Sequence, residues 1–122
     1  MADVQEQSMN EERRIVVASD SAISIRCLSD ISDALGACIG AGGLILTESD
    51  LAPEFFDLRS GLAGELFQKF INYKVRVAIV LRDPAAYGER FSELAYEHSS
   101  HGIIRFVSSQ DDARAWLAPR GG

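Results

Sequence analysis

The sequence is poor in cysteine and contains no long apolar run. Cys27 and Cys38 are the only two cysteines among 122 residues, which is too few for the disulfide framework of a small secreted domain. No stretch approaches the ~20 consecutive apolar residues that span a bilayer. We therefore expect a domain that folds without disulfides and does not enter a membrane.

Basic residues are also scarce. The chain has 12 Lys and Arg against 18 Asp and Glu, which gives a formal net charge of -6 at pH 7. This charge repels a phosphate backbone, so we expect no nucleic-acid partner. The first residues lack the apolar segment and small-residue cleavage site of a secretory signal, so we expect a cytoplasmic location.

Length and patterning predict a tail and a single domain. Residues 1–12 are polar and aperiodic, and we predict a flexible tail because they bury too little apolar surface to offset the entropy of ordering. Residues 13–122 are predicted to form one α/β domain, since a chain of this length with 47% hydrophobic residues can bury one core.

Short β-branched segments alternate with amphipathic ones along this domain. The segments RIVVAS and AISIRC are separated by Ser19-Asp20-Ser21, a pattern that predicts an antiparallel hairpin. Three later strands are predicted at LILT, VRVAIVL and GIIRFVSS. With helical segments between them, the pattern predicts a five-stranded, mostly parallel sheet with an N-terminal antiparallel hairpin and about four helices.

Two serines and two glycines mark the predicted ends of helices. Ser29 is predicted to cap the first helix, whose apolar face includes Ile39, and Ser109 is predicted to cap the last. Gly40 and Gly43 follow a helix and precede a strand. That order is typical of a helix C-terminus and is the reverse of a dinucleotide-binding loop.

The stretch FFDLRSGLAGELFQKFINYKVRVAIV lies between an apolar strand and the most strand-like segment of the chain. It resembles the signature of a bacterial family, domain of unknown function 4180, in which Phe-Phe-Asp-Leu, a basic residue, Ser or Thr, and Gly-Leu-Ala-Gly-Glu recur. The order of elements from Leu44 to Leu81 also resembles a STAS domain, the fold of bacterial anti-sigma factor antagonists. The resemblance implies a STAS-like fold and a non-enzymatic regulatory role.

Ser60 has two interpretations. In STAS domains the consensus is Asp-Ser-Ser-Gly-Leu-Gly, and the serine before the glycine is the phosphorylated switch, which corresponds by position to Ser60. Here the motif reads Asp57-Leu58-Arg59-Ser60-Gly61, with one extra residue after the acid and without the first serine. A phosphate would be stabilised at a helix N-terminus and could pair with Arg59. The alternative is that Ser60 only caps the helix.

The predicted binding or regulatory residues are Glu54, Asp57, Arg59, Ser60 and Gly61. We predict a non-enzymatic protein-binding module that is phospho-switched at a helix N-terminus and uses no cofactor. One alternative is a small-ligand-binding or catalytic domain with a pocket at the carboxyl edge of the sheet. Another is a structural homodimer. The acidic loop that contains Asp50 is interpreted as solvent-exposed.

His98 and His101 form an H-x-x-H pair that could supply metal ligands or a general base. No third ligand with suitable spacing accompanies them, so we predict no metal site. They are interpreted as residues of a helix end, where the dipole favours imidazolium. Cys27 and Cys38 are interpreted as apolar fillers rather than nucleophiles.

Overall fold

The computed structural model describes residues 14–118, and the domain they form is built on a parallel sheet. The strands are β1 (Ile15–Val17), β2 (Gly43–Thr47), β3 (Val77–Val80) and β4 (Ile104–Val107). They lie in the order β1-β2-β3-β4, and each neighbouring pair is parallel. Because every crossover moves to the next strand in the same direction, right-handed connections bring the connecting helices to one face.

Five α-helices and four short 3-10 turns accompany the strands within residues 14–118. The helices are α1 (Leu28–Cys38), α2 (Pro53–Phe56), α3 (Leu62–Asn72), α4 (Glu89–Glu97) and α5 (Gln110–Leu117). The turns are Ala18–Ser21, Glu48–Asp50, Leu58–Ser60 and Pro84–Tyr87. The count of about four helices omitted α2, a single turn that begins with Pro53, whose fixed φ suits a first helical position.

The central strands are buried on both faces, as their unbroken apolar sequences predict. Leu44 and Leu46 belong to the large core beneath α1, α3 and α4, whereas Ile45 points to a second core formed with α5. Successive side chains of a strand point to opposite faces, so one apolar run serves both layers. The predicted strands at LILT and VRVAIVL are thus confirmed as β2 and β3.

The predicted antiparallel hairpin is wrong, and so is the count of five strands within residues 14–118. β1 pairs in parallel with β2, and the segment AISIRC contributes only an isolated parallel bridge between Ile25 and Leu51. After β1 the chain forms a 3-10 turn that ends with Ala22 in the left-handed region at φ 57°. The turn contains no glycine for a tight hairpin reversal, so the chain leaves the sheet instead of pairing back on it.

The ends of α1 also differ from the prediction. Ser29 lies inside the helix, and Cys27 occupies the N-cap position. The carboxylate of Asp30 reaches back and accepts a hydrogen bond from the Arg26 N–H at 2.9 Å. Ile39 is 58% exposed rather than buried, because the backbone becomes extended there. The predicted cap at Ser109 is confirmed, since its hydroxyl accepts from the Asp112 N–H at 3.1 Å.

Within residues 14–118, no helix is both long and apolar enough to cross a membrane. The predicted tail at residues 1–12 lies outside the described residues, as do residues 119–122 at the end of the predicted domain.

Candidate binding site at the carboxyl edge of the sheet

The five predicted site residues lie in one segment that follows β2 at the carboxyl edge of the sheet. Glu54 belongs to α2, and the other four lie in residues 57–61, which we call the Ser60 loop. All five are exposed. The structure therefore brings the predicted residues together, and backbone as well as side-chain atoms make the contacts among them.

Asp57 begins the loop by capping the turn Leu58–Ser60. Its Oδ1 accepts from the Arg59 backbone N–H at 3.1 Å and from Arg59 Nε at 3.3 Å. The hydrogen bond from the Arg59 side chain, and then that from its backbone, lower the pKa of Asp57. The Arg59 side chain is 92% exposed, so this pair shapes the loop more than it stabilises the fold.

Ser60 ties the loop to the elements on either side. Its hydroxyl donates to the Glu54 carbonyl oxygen at 2.6 Å and accepts from the Leu62 N–H at 3.2 Å. The second bond satisfies one of the N–H groups that the start of α3 leaves without a helical partner. Ser60 therefore serves the helix start, although it stands one residue before the N-cap, which is Gly61.

Gly61 adopts a left-handed conformation, with φ 80° and ψ -3°. Its carbonyl accepts from the Glu65 N–H at 2.9 Å and so begins the hydrogen-bond ladder of α3. A Cβ at this position would meet no atom within 4 Å. The requirement for glycine is therefore one of backbone conformation rather than of space.

A groove of about 660 Å³ separates the Ser60 loop from the start of α4 and is called here the Phe56–Tyr87 groove. The rings of Phe56 and Tyr87 stack with centroids 3.8 Å apart and planes 8° apart. The buried ring of Phe91 packs edge-on against both, at 5.2 and 5.9 Å. The groove is lined by Phe56, Asp57, Leu58, Arg59, Tyr87, Gly88, Glu89, Arg90 and Phe91.

A hydrogen bond to Glu48 holds the Tyr87 ring at the groove. The Tyr87 hydroxyl donates to a carboxylate oxygen of Glu48. This hydrogen bond, together with burial and the charge of Glu48, raises the pKa of Tyr87 to about 12.

Asp50, interpreted from the sequence as exposed, is only 7% exposed. It accepts from Thr47 N at 2.9 Å and Thr47 Oγ1 at 3.0 Å, which holds the chain where it leaves β2.

Two guanidinium groups that line the groove have N–H donors without a hydrogen-bond acceptor among the described residues. Arg59 commits its backbone N–H and Nε to Asp57, and within residues 14–118 its terminal nitrogens make no hydrogen bond. The side chain of Arg90 forms no hydrogen bond or ion pair with any described residue. Planar guanidinium groups with free terminal nitrogens are suited to binding carboxylates or phosphates.

Sequence reasoning missed Glu48, Tyr87 and Arg90 as members of this site. Glu48 and Tyr87 are 39 residues apart, and each follows a different strand. These residues could have been found only from the topology of the sheet, because the carboxyl ends of neighbouring parallel strands meet at one edge. Once β2 and β3 are known to be adjacent, the two loops must meet there.

The remaining candidate residues lie away from the groove. Cys38 is buried, and burial raises the pKa of its thiol to about 11, which is unfavourable for a nucleophile. Cys27 is exposed, so its interpretation as a buried filler is wrong. His98 and His101 lie at the end of α4 and before β4. Among the described residues, no group of three or more His, Cys, Asp or Glu side chains could hold a metal ion.

The fold and this site define a class: a parallel α/β domain with an exposed, internally hydrogen-bonded loop beside an open groove at the carboxyl edge. The family model described as Domain of unknown function (DUF4180) matches residues 10–117. The chain belongs to this family, which confirms the resemblance drawn from FFDLRSGLAGE. Neither the comparison with curated proteins nor that with solved structures gives a match.

Proposed function

We propose that this domain is a non-enzymatic protein-binding module with a STAS-like fold, and that the Ser60 loop and the Phe56–Tyr87 groove are its recognition surface. The observation that carries the proposal is a loop that is exposed and yet held by four hydrogen bonds of its side chains, two to the Asp57 carboxylate and two at the Ser60 hydroxyl. A loop ordered before binding loses less conformational entropy when a partner docks.

The hydrogen bonding of Ser60 favours recognition over nucleophilic catalysis. A serine nucleophile needs a neighbouring base that takes its proton. The proton of Ser60 is directed at the carbonyl oxygen of Glu54, which is a hydrogen-bond acceptor but too weak a base for that task. The hydroxyl therefore acts in this arrangement as a structural link between α2 and α3.

The side chains around the groove indicate the partner's chemistry. Arginine and aromatic residues dominate the energetics of many protein interfaces. Here the uncommitted donors of Arg59 and Arg90 flank the Phe56 and Tyr87 rings. We propose a partner segment that presents a carboxylate beside an apolar side chain.

Phosphorylation of Ser60 is the proposed regulation of this surface. A phosphoryl group would remove the O–H that donates to the Glu54 carbonyl and would add about -1.5 to -2 charges at pH 7. It would also attract Arg59 away from an acidic partner. Modification would thus change both the shape and the charge of the loop, and we expect it to weaken binding.

The test uses matched variants in affinity capture with quantitative mass spectrometry. We expect proteins recovered with the wild type to be lost from the double variant Arg59→Gln/Arg90→Gln and reduced with Ser60→Asp. Arg114→Gln is the control, because Arg114 is an exposed arginine of α5, outside the groove. Equal recovery with all four proteins would defeat the proposal.

The groove also supports the alternative of a small ligand. Its volume of about 660 Å³ falls within the range of roughly 300–1,000 Å³ that is common for ligand sites. The stacked rings and two guanidinium groups favour a small aromatic carboxylate. Titration of 15N-labelled protein with benzoate, with benzyl alcohol as the uncharged match, separates the cases. Shifts at Tyr87 and Arg90 with benzoate alone, abolished by Arg90→Gln, would support this alternative.

A further inference from the structure

The H-x-x-H pair lies at the outer edge of the sheet. Among the described strands β4 is an edge strand. The carbonyls of Ile103 and Val107 accept from the N–H groups of Val77 and Leu81. The backbone N–H and C=O groups of every second residue therefore point toward β3. The N–H groups of Ile104 and Phe106 therefore face outward, where an open edge would invite pairing with another strand.

Both outward N–H groups already have acceptors, and each acceptor comes from a histidine. The Phe106 N–H donates to the backbone carbonyl of His98 at 3.1 Å. The Ile104 N–H donates to His101 Nδ1 at 3.1 Å, and the Ile103 N–H donates to the same nitrogen at 3.1 Å. The imidazole of His101 thus closes the beginning of the edge with a single atom.

The two imidazole rings have opposite hydrogen-bond roles. His98 Nδ1 lies 3.0 Å from the Leu94 carbonyl oxygen, which can only accept, so this nitrogen carries a proton. His101 Nδ1 faces two N–H donors, so it carries none. Protonation of His98 at its other nitrogen keeps its bond. Protonation of His101 turns Nδ1 into a donor that faces two donors.

We propose that His101 is a pH-sensitive latch: its neutral ring holds the N–H groups of Ile103 and Ile104, and its protonation releases them. The groups around His101 would not replace the hydrogen bonds that protonation removes. The His98 ring centroid is 5.1 Å away, and Arg105 donates to the carbonyls of Ser100 and His101. From α3, the apolar ring of Phe67 packs on His98. Neither histidine forms an ion pair with a carboxylate of residues 14–118.

The test is amide hydrogen exchange by NMR at about pH 7.5 and about pH 5, values that bracket the usual titration of histidine. Rates are expressed as protection factors, which removes the intrinsic effect of pH on exchange. We expect protection at Ile103 and Ile104 to fall about tenfold at the lower pH, as for the loss of one hydrogen bond. Phe106 is the internal control, because its acceptor is a backbone carbonyl.

The variant His101→Asn separates the latch from general acid sensitivity. An asparagine oxygen can accept from the N–H two residues on, as in an Asx-turn, and it does not titrate in this range. We expect this variant to keep protection at Ile103 at both pH values, whereas His98→Gln keeps the wild-type pH response. Unchanged protection in the wild type, an equal fall at Phe106, or a persistent pH response in His101→Asn would each overturn the proposal.

Discussion

At the residue scale, Ser60 contributes through two hydrogen bonds that join the Glu54 carbonyl to the start of α3. Removal of the hydroxyl leaves the Glu54 carbonyl and the Leu62 N–H without this partner. The residue is therefore a structural link as well as the proposed regulatory position.

We predict that Ser60→Ala lowers the free energy of unfolding by about 1–2 kcal/mol, because two hydrogen bonds are lost, each of which contributes roughly 0.5–1.5 kcal/mol. Urea denaturation measures this cost. Ser32→Ala is the matched control, because Ser32 is an exposed serine inside α1. Equal stability of the Ser60 and Ser32 variants would show that the two hydrogen bonds contribute nothing.

A second prediction at this scale concerns Asp57, whose pKa is lowered chiefly by the Arg59 side chain. A carboxyl with a lowered folded-state pKa stabilises the fold above its unfolded pKa, and this contribution disappears as the pH falls through the folded value. We predict that Arg59→Gln raises the pKa of Asp57 toward its ordinary value, as followed by NMR titration. An unchanged titration, matching that of Arg114→Gln, would contradict the contact.

At the element scale, Arg76 fastens the end of α5 to the sheet. Its guanidinium donates to the carbonyl oxygens of Trp116 and Leu117 at 3.1 and 3.2 Å. These are carbonyls that a helix leaves without partners at its C-terminus. Arg76 and Arg105 also lie over the Trp116 ring, at 5.1 and 4.7 Å from its centroid. The tryptophan therefore contacts two guanidinium groups.

We predict that Arg76→Ala destabilises the domain by about 1.5–3 kcal/mol, because hydrogen bonds from a charged donor are lost. Thermal unfolding followed by the fluorescence of Trp116, the single tryptophan of the chain, measures the effect. Arg114→Gln is the control on the same helix. If both variants unfold at the same temperature as the wild type, Arg76 does not stabilise the packing of α5.

Sequence patterns predicted the elements that are regular over several residues. The unbroken apolar runs were sufficient for β2 and β3, and the cap at Ser109 was sufficient for the start of α5. The hairpin prediction failed because AISIRC has a strand-like composition, whereas only Ile25 of this segment forms a β-bridge, with Leu51. Composition does not reveal which distant residue is available for pairing.

The site was predictable only in its contiguous half. Asp57 to Gly61 are adjacent in the chain and form a recognisable motif before a helix. Glu48 and Tyr87 meet only because β2 and β3 are neighbours. The groove therefore depends on topology, which local propensity does not determine.

At the scale of the whole molecule, the first and last described residues lie away from the proposed recognition surface. The Arg14 carbonyl accepts from Gly42 N–H before β2, and the end of α5 contacts Arg76 before β3. These contacts lie at the amino edge of the sheet, whereas the Ser60 loop and the groove lie at the carboxyl edge. Helices cover both faces of the sheet, and the groove at its carboxyl edge has a polar and aromatic lining.

Site-specific photocrosslinking in cells shows whether a protein partner docks at this edge. A photoreactive phenylalanine analogue replaces Leu58, a residue of the groove, or Ala115, an exposed residue of α5 that serves as the control. We expect a discrete crosslinked partner from position 58 and none from position 115. Crosslinking from position 115 alone, or the same products from both positions, would contradict it.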